Sequence, residues 1–360
     1  MANPAKPRFN FIDWTREIAA LIMIQGHVFD AFAAGDQRQS SEFILSQFVG
    51  GLPPAIFLFL TGVTLAFLME SQERKELTSL EKLKGVAYRG RYPLILAVLF
   101  RLQMWLFGLP KSPVSDLLKV DILNCMGVSI LLMMPLALLG RIDRIRWGIF
   151  SGLGIAFISP LIATADLSSF PELLRNYLVP SSRYFSIFPW AAFLPFGITT
   201  GTILKTSSSR DLGRFAQWCA IGGVILIFSC QYFSNIPYSF YSKSDFWVDS
   251  PWLIFMKTGI IMIFMAVAYL WTAHVAPGWS MIRQLGTTSL IVYWVHTELV
   301  YGRWLWTFKG NISIPQIMLM AIFITLLMVG ISLMQTHWSL IRRWASSEGG
   351  RFSTAPAEGD

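Results

Sequence analysis

Long apolar stretches recur along the chain and are separated by short polar segments that contain lysine and arginine. Clear examples read PPAIFLFLTGVTLAFLM, LILAVLFRLQMWLFGL and LIFMKTGIIMIFMAVAYLW. Each approaches the roughly 20 residues that an α-helix needs to cross a bilayer. Helices are the expected form, because backbone polar groups in lipid must pair within their own segment. The pattern predicts an all-α, polytopic integral membrane protein.

The same pattern predicts about ten transmembrane helices joined by short loops. Residues 1–345 are therefore predicted to form one transmembrane domain. The polar residues 346–360 are predicted to form a disordered cytoplasmic tail. The predicted spans cover residues 11–33, 43–69, 92–109, 118–139, 147–165, 185–204, 213–232, 252–273, 283–301 and 314–337.

The composition agrees with this class of protein. Of the 360 residues, 54% are hydrophobic and 14% are charged, whereas an average soluble domain has roughly a quarter of its residues charged. A large soluble domain is thereby excluded. The three cysteines (Cys125, Cys219 and Cys230) all fall in apolar spans. They show neither the spacing of a disulfide framework nor a CxxC metal motif.

The distribution of lysine and arginine predicts the orientation in the membrane. Eighteen of these residues fall on the side of the N-terminus, among them Arg141, Arg144 and Arg146, and eight fall on the other side. Basic residues concentrate in cytoplasmic loops, so both termini are predicted to be cytoplasmic. We interpret the net charge of +8 as this topology signal. Nucleic-acid binding is not expected, because the basic residues are dispersed over short loops.

The first predicted span carries more polar groups than lipid can solvate. Ionisable side chains within a span usually face a cavity or a partner, and they often mark function. Two further charges, Arg101 and Lys257, stand alone in the third and eighth spans. Within the stretch DWTREIAALIMIQGHVFDAF (13–32), the polar residues are Asp13, Arg16, Glu17, Gln25, His27 and Asp30.

Three of these residues share one face of the first helix. Arg16 and His27 are eleven residues apart, which is three turns and roughly 16 Å along the axis. Asp30 follows His27 by three residues and is predicted to orient its imidazole, and Asp13 is predicted to pair with Arg16. The stripe thus runs from a cytoplasmic cation to an outer His–Asp pair. The alternative is that His27 and Asp30 form only a structural pair at the membrane boundary.

The ninth span holds a second group of polar residues, in the stretch LGTTSLIVYWVHTELVYG (285–302). His296 and Glu298 fall in its predicted outer half, and their separation of two residues makes them face different ways. His296 is predicted to line the same cavity as His27. Tyr301 is interpreted as an ordinary aromatic residue of the membrane interface.

These residues resemble a known family. Arg16, ten intervening residues and His27 match the R-x10-H pattern of membrane acyltransferases of the acyltransferase-3 type. The wider pattern is more similar to a sister group, the heparan-alpha-glucosaminide N-acetyltransferase catalytic-domain-like proteins. Similar blocks follow one another over nearly the whole chain, at residues 12–32, 53–68, 121–132, 188–201 and 285–302.

The resemblance implies an acyltransferase that moves an acyl group, in the first instance acetyl, from cytosolic acyl-CoA to a sugar or glycan on the extracytoplasmic side. It implies that His27 is the catalytic histidine and that Arg16 meets the donor. Asp30 and His296 are predicted as further catalytic residues. Acetyl-CoA is expected as a co-substrate, without a tightly bound cofactor or metal. The expected location is a bacterial cytoplasmic membrane. The chain departs from the family at Glu17, where the family has glycine.

The chemistry of the residues agrees with acyl transfer. A neutral imidazole deprotonates an acceptor or holds an acyl group. An arginine binds the phosphates of CoA, and Gln25 or a backbone amide is a candidate donor to the oxyanion. The residues leave open whether a covalent acyl-histidine forms.

Two rival functions use the same residues. A small-solute or proton-coupled transporter also keeps charges within the membrane, although the paired broken helices of many transporters are not apparent. The other rival is a non-catalytic membrane scaffold. The sequence leaves the identity of the acyl group and of the acceptor open. It also leaves the oligomeric state open, and a homo-oligomer is one possibility.

Overall fold

The structure is a computed structural model that describes residues 9–206, 211–238, 240–275 and 278–351, with side chains through residue 338. Within these residues it is helical and has no strand, apart from one isolated bridge between Ala33 and Ile312. The all-α prediction is confirmed. The helices are α1 (Asn10–Phe32), α2 (Ser41–Gly50), α3 (Pro53–Arg74), α4 (Ser79–Gly108), α5 (Ile122–Leu132), α6 (Arg141–Thr164), α7 (Glu172–Leu178), α8 (Ile187–Trp190), α9 (Phe193–Thr206), α10 (Leu212–Ser234), α11 (Pro251–His274), α12 (Met281–Thr287), α13 (Ser289–Tyr301) and α14 (Ile314–Arg351).

The chain divides into two compact units. The first consists of Met1–Ala19 and Gly51–Pro277, and the second of Ala20–Gly50 and Gly278–Asp360. The division falls within α1, so the first turns of this helix belong to one unit and its later turns to the other. The predicted tail (346–360) begins within α14, and its residues 352–360 lie outside the described part of the chain.

Six helical segments of the described chain are long and apolar enough to cross a membrane. They coincide with six of the ten predicted spans, which supports an integral membrane protein. The total of about ten and the cytoplasmic placement of both termini remain predictions. The six segments are Ser41–Arg74, Arg141–Thr164, Ile187–Thr206, Leu212–Ser234, Pro251–His274 and Ile314–Trp338.

The other four predicted spans correspond to helices that are more polar or shorter. Helix α1 carries Asp13, Arg16, Glu17 and Asp30. Helix α4 begins with a charged segment and continues through the apolar part of the predicted third span. Helix α5 has only 11 residues and is followed by a 3-10 turn. The predicted ninth span is divided into α12 and α13 at Thr288.

Close contact between α3 and α9 organises the first unit. A side chain at Gly62 on α3 would overlap the backbone carbonyl of Leu194, and one at Gly197 on α9 would overlap the carbonyl of Phe59. Small residues allow two helices in lipid to approach until their backbones touch. Van der Waals packing then holds the helices together, because the hydrophobic effect does not drive helix association within lipid. The apolar core beside this contact contains Leu65, Ala66, Met69, Val86, Ile130, Met133, Leu136, Ala137, Leu194 and Ile198.

A buried ion cluster joins α3 to the start of α6. Arg144 was predicted to lie in a cytoplasmic loop, but it is only 1% exposed. Its Nη2 lies 3.0 Å from the carboxylate of Glu73 and 2.8 Å from the carbonyl of Leu139. Its Nη1 lies 3.8 Å from Glu70, which also accepts from Arg141. A buried guanidinium needs such partners, because removal of one leaves an uncompensated charge.

The second unit is built from the later turns of α1 together with α2, α12, α13 and α14. Helices α1 and α2 touch at Gly26 and Gly50, where a Cβ on either residue would lie within 2.7 Å of the other's Cα. The buried apolar residues of this unit are Ile24, Val28, Phe29, Phe32, Ala33, Phe43, Leu285, Val292, Val300, Ile317, Ile324, Met328 and Val329.

The junction of α12 and α13 is tied to α14 by buried hydrogen bonds. The Gln284 amide donates to the hydroxyls of Ser332 and Thr336 at 2.9 and 2.8 Å. Ser332 lies 2.6 Å from the Thr288 hydroxyl and donates to the Gln284 carbonyl. These bonds satisfy the polar groups that the helix break would otherwise leave without partners. They also fix the direction in which α13 continues.

The Gly62 contact predicts a sensitive position. Gly62→Ala should destabilise the protein by about 1–3 kcal/mol, because the new methyl group meets the Leu194 backbone rather than a movable side chain. The matched control is Gly154→Ala on α6, where a Cβ meets nothing within 4 Å and alanine favours the helix. Thermal unfolding of the purified protein in detergent compares the two. Equal melting temperatures for both variants would contradict the packing argument.

Candidate functional site

The second unit brings two histidines into direct contact. Nδ1 of His27, on α1, lies 2.9 Å from Nε2 of His296, on α13. The rings are stacked, with centroids 5.1 Å apart and an interplanar angle of 16°. His296 has no exposed surface, whereas His27 is partly exposed. The prediction that these residues lie in one place, although separated by 269 positions, agrees with this geometry.

The hydrogen bonds define which nitrogen carries each proton. Nδ1 of His296 bonds to the carbonyl oxygen of Val292, and a carbonyl only accepts, so this nitrogen is the protonated one. A neutral His296 then presents an unprotonated Nε2, to which Nδ1–H of His27 donates. With both rings neutral, the lone pair of His27 is on Nε2. No group in the described part of the chain hydrogen-bonds to that atom.

The ring of Tyr301 also packs against His27. The two rings meet edge to face, with centroids 5.2 Å apart. The Tyr301 hydroxyl donates to Oδ2 of Asp30 at 2.8 Å. Asp30 also contacts Arg38, whose Nη2 donates to the Asp30 carbonyl at 2.7 Å and whose Nη1 lies 3.9 Å from the carboxylate. His27 thus contacts both His296 and the ring of Tyr301, whose hydroxyl belongs to a Tyr–Asp–Arg cluster.

The structure corrects the predicted role of Asp30. His27 has its Nδ1 bonded to His296, and the Asp30 carboxylate bonds to Tyr301 and Arg38 instead. A separation of three residues puts two side chains near one face of a helix. It does not decide which of several neighbours each one bonds. Among the described residues, Tyr301 links Asp30 to His27.

Sequence reasoning missed Tyr301 and Arg38 as members of the site. Tyr301 was assigned to the membrane interface, and it is indeed 37% exposed, but its hydroxyl is committed to Asp30. Tyr301 lies on the same polar segment as His296, and this proximity could have indicated that it belongs to the site. Arg38 lies in the short 3-10 helix Gly35–Gln39, and nothing in the spacing along the chain pairs it with Asp30.

Glu298 lies on a different face of α13 from His296, as predicted. It is 7% exposed and accepts from the indole Nε1 of Trp304 at 3.2 Å. Nearby, Lys309 donates to the carbonyl of Tyr301 at 2.8 Å and to that of Gly302. A cation at a helix C-terminus satisfies the last carbonyl groups. Partial burial lowers the pKa of Lys309, and the charge of Glu298 opposes this shift.

Arg16 belongs to the first unit. It forms the predicted pair with Asp13, with 3.3 Å between nitrogen and oxygen, and its side chain is 35% exposed. The neighbouring Glu17 is 7% exposed. Adjacent residues on a helix point about 100° apart, so the two side chains have different surroundings. Arg16 thus keeps about a third of its side-chain surface exposed beside the buried Glu17.

The two charges that stand alone in predicted spans both have partners. Nζ of Lys257 donates to the Gly51 carbonyl at 3.0 Å and lies 4.6 Å from the Trp190 ring centroid. Nε of Arg101 lies 3.2 Å from the carboxylate of Asp121. Both pairs are in the first unit. Among the described residues, no group of three or more histidine, cysteine or acidic side chains is arranged to hold a metal ion.

Comparison with known proteins gives one family match. The model of the family described as "Heparan-alpha-glucosaminide N-acetyltransferase, catalytic" matches residues 8–228, which is more than half of the chain. No curated protein matches the sequence significantly. Arg16, His27 and Asp30 fall inside the matched region, whereas His296 and Tyr301 lie beyond it.

The proton assignment can be measured directly. In protein labelled with ¹⁵N-histidine, we expect Nδ1 of His27 and Nδ1 of His296 to be protonated and both Nε2 atoms to be unprotonated at neutral pH. Nitrogen chemical shifts distinguish the two states, and His27→Gln and His296→Gln assign the signals. A protonated Nε2 on neutral His27 would contradict the assignment.

Proposed function

We propose that this protein is a membrane enzyme that acetylates a sugar or glycan, because the chain belongs to the heparan-alpha-glucosaminide N-acetyltransferase catalytic family. The donor is cytosolic acetyl-CoA, which acts as a co-substrate, and the acceptor reacts at the extracytoplasmic side. The family match and the apolar helices support this proposal. The protein spans the membrane about ten times with both termini in the cytoplasm, and the membrane is the cytoplasmic membrane of a bacterium.

His27 is the general base of the proposed reaction. The observation that carries this role is the 2.9 Å contact between Nδ1 of His27 and Nε2 of His296, from which we infer that Nε2 of His27 is unprotonated. As the acceptor nitrogen or oxygen attacks the thioester carbonyl, Nε2 takes its proton. A new bond forms between the acceptor and the acetyl carbon while the carbon–sulfur bond breaks. The imidazolium then gives its proton to the leaving CoA thiolate, so His27 returns to its starting state.

His296 acts as a positioning residue in this scheme. It has no exposed surface, and both of its nitrogens are hydrogen-bonded. We therefore assign it no direct contact with the substrate, whereas the sequence suggests a catalytic role. Its Nε2 holds the His27 ring in one tautomer and continues to accept from Nδ1–H when His27 gains a proton. Asp30 acts indirectly. Its carboxylate accepts from the Tyr301 hydroxyl and so orients the Tyr301 ring, which packs against His27.

Arg16 binds the donor in the proposed reaction. The phosphates of CoA are anionic, and a guanidinium donates to two phosphate oxygens at once. The pair with Asp13 fixes the Arg16 side chain, and 35% of its surface stays exposed. Arg16→Ala should raise the KM for acetyl-CoA, whereas Arg16→Lys should recover part of the affinity. Neither change should reduce kcat as strongly as loss of His27.

The enzyme assay tests His27 first. Purified protein in lipid nanodiscs receives acetyl-CoA labelled in the acetyl group together with glucosamine-containing acceptors, and transfer and CoA release are measured. His27→Ala should lower kcat by about 10²–10⁴-fold, the usual contribution of a general base. The control is His274→Ala, which removes an exposed histidine bonded to the Leu270 carbonyl and should leave the rate unchanged.

His296→Gln separates positioning from direct participation. We expect a smaller loss of kcat than for His27→Ala, about 10-fold to 100-fold, with an unchanged KM for both substrates. The ¹⁵N signals of His27 should then show a mixture of tautomers.

Other outcomes would overturn the proposal. If acetyl-CoA neither binds nor turns over, and the protein instead moves a solute into sealed vesicles, it is a transporter. If His27→Ala retains full transfer activity, the base lies elsewhere.

A further inference from the structure

A cavity of about 490 Å³ lies at the C-terminal end of α10, within the first unit. Its volume falls in the range of small-molecule sites, which is roughly 300–1,000 Å³. With the predicted orientation, this end of α10 is on the extracytoplasmic side. The described residues that line the cavity are Phe228, Gln231, Tyr232, Asn235, Ile236 and Pro237.

One face of α10 and the turn after it form this lining. Four of the lining positions (228, 231, 232 and 235) follow one another at spacings of three, one and three residues, so they share a face at the end of the helix. The helix ends at Ser234, and Pro237 belongs to the turn that follows. Phe228 and Tyr232 are 66% and 69% exposed. The cavity is therefore an open groove in which both rings are accessible.

The ring of Tyr232 is supported from a second helix. It meets the Phe233 ring edge to face, with centroids 5.6 Å apart. Phe233 in turn stacks on Trp252, at the start of α11, with centroids 5.2 Å apart and an interplanar angle of 16°. This aromatic contact reduces the freedom of the Tyr232 ring before a ligand arrives, which lowers the entropic cost of binding.

Two primary amides supply the polar part of the groove. The amide nitrogen of Asn235 donates to the Gln231 carbonyl at 2.7 Å, which fixes the Asn235 side chain against the end of the helix. Within the described part of the chain, neither Oδ1 of Asn235 nor the side-chain amide of Gln231 makes a further hydrogen bond. A primary amide offers both donors and an acceptor, so the groove has both kinds of group available.

The combination of rings and amides selects the class of ligand. None of the described residues that line the groove is charged, so nothing there would compensate the desolvation of an anion or a cation. A sugar ring fits both kinds of group. Its C–H faces pack on aromatic rings, and each of its hydroxyls donates and accepts, as the amides do.

We propose that the groove at the end of α10 binds an uncharged sugar unit. Phe228 and Tyr232 pack on the face of the sugar ring, and Gln231 and Asn235 bond to its hydroxyls. The proposal concerns binding alone and rests neither on His27 nor on acetyl transfer. A glycan on the extracytoplasmic side is the kind of partner that would present such a unit.

Saturation-transfer NMR of the full-length protein in phospholipid nanodiscs tests this site. The probe is cellobiose, a neutral disaccharide without an amino group. The protein is prepared without maltoside detergent, because the sugar headgroup of that detergent would compete. We expect a dissociation constant of about 1 mM, since an open groove covers only one side of the sugar. Binding should not change between low and high salt, because screening acts on charges.

Variants on the exposed face of α10 locate the binding. Tyr232→Ala should weaken binding by about 10-fold through loss of the stacking surface. Its matched control is Trp218→Ala, which removes an equally exposed ring (69%) that does not line the groove. Gln231→Leu keeps the size of the side chain and removes its amide, so binding should weaken by about 3-fold to 10-fold. Its control is Gln217→Leu, which changes an exposed glutamine on the same helix.

The proposal is wrong if cellobiose does not bind, or if Tyr232→Ala and Gln231→Leu bind it as the wild type does. It is also wrong if high salt abolishes binding, which would identify a charged site. Native mass spectrometry covers the lipid alternative. A phospholipid that the wild type retains and Tyr232→Ala loses, without sugar binding, would make the groove a lipid site. His27→Ala should bind cellobiose normally, so this proposal and the acetyltransferase proposal fail separately.

Discussion

The hydrogen bond between His27 and His296 is the contact on which the candidate site depends. An isolated imidazole has two tautomers of similar energy, and only one of them leaves a lone pair on Nε2. The Val292 carbonyl fixes the proton of His296, and His296 then fixes the proton of His27. The ordering begins at a backbone carbonyl inside α13, so the regular helix itself sets the chemical state of a side chain on another helix.

Membrane burial explains why this contact is accompanied by so many others. A polar group that loses water must find a partner within the protein, and each buried charge of the described chain has one. Arg144 lies against Glu70 and Glu73, Lys257 against the Gly51 carbonyl and the Trp190 ring, and Arg101 against Asp121. The difference lies in what remains after pairing. Nε2 of His27 keeps no hydrogen bond to the described residues, and it is the atom from which we infer function.

The sequence predicts the helices better than their contacts. Apolar segments of about 20 residues identify six helices that match spans in the structure, because length and composition act locally. The break at Thr288 was missed, because it depends on hydrogen bonds from α14 to Gln284 and Thr288. The position of Arg144 was missed for a similar reason. The sequence around a basic residue at the end of an apolar segment looks the same whether its side chain faces water or is buried. Here the side chain is buried against two glutamates on α3.

The candidate site shows the same limit at the level of single residues. The spacing of His27 and Asp30 correctly places both near one end of α1, and the second polar segment correctly supplies His296. The choice of partner could not be predicted, because Tyr301 competes for Asp30 from a helix more than 250 residues away in sequence. Helical periodicity restricts the possible neighbours, and packing between helices selects among them.

The setting of His296 also bears on the order of bond formation in the proposed reaction. In direct transfer, the positive charge on His27 arises together with the negative charge on the acyl oxygen, so the two compensate. If an acyl-histidine forms, the CoA thiolate leaves before the acceptor reacts. The acylated His27 ring then carries a positive charge, and its acidic Nδ1–H must donate to His296. That residue is fully buried, and its other nitrogen is bonded to a neutral carbonyl. Among the described residues no carboxylate is bonded to His296, so a lasting positive charge there is costly. Under the proposed function, with His27 as the base, this arrangement is more compatible with direct transfer from the donor to the acceptor.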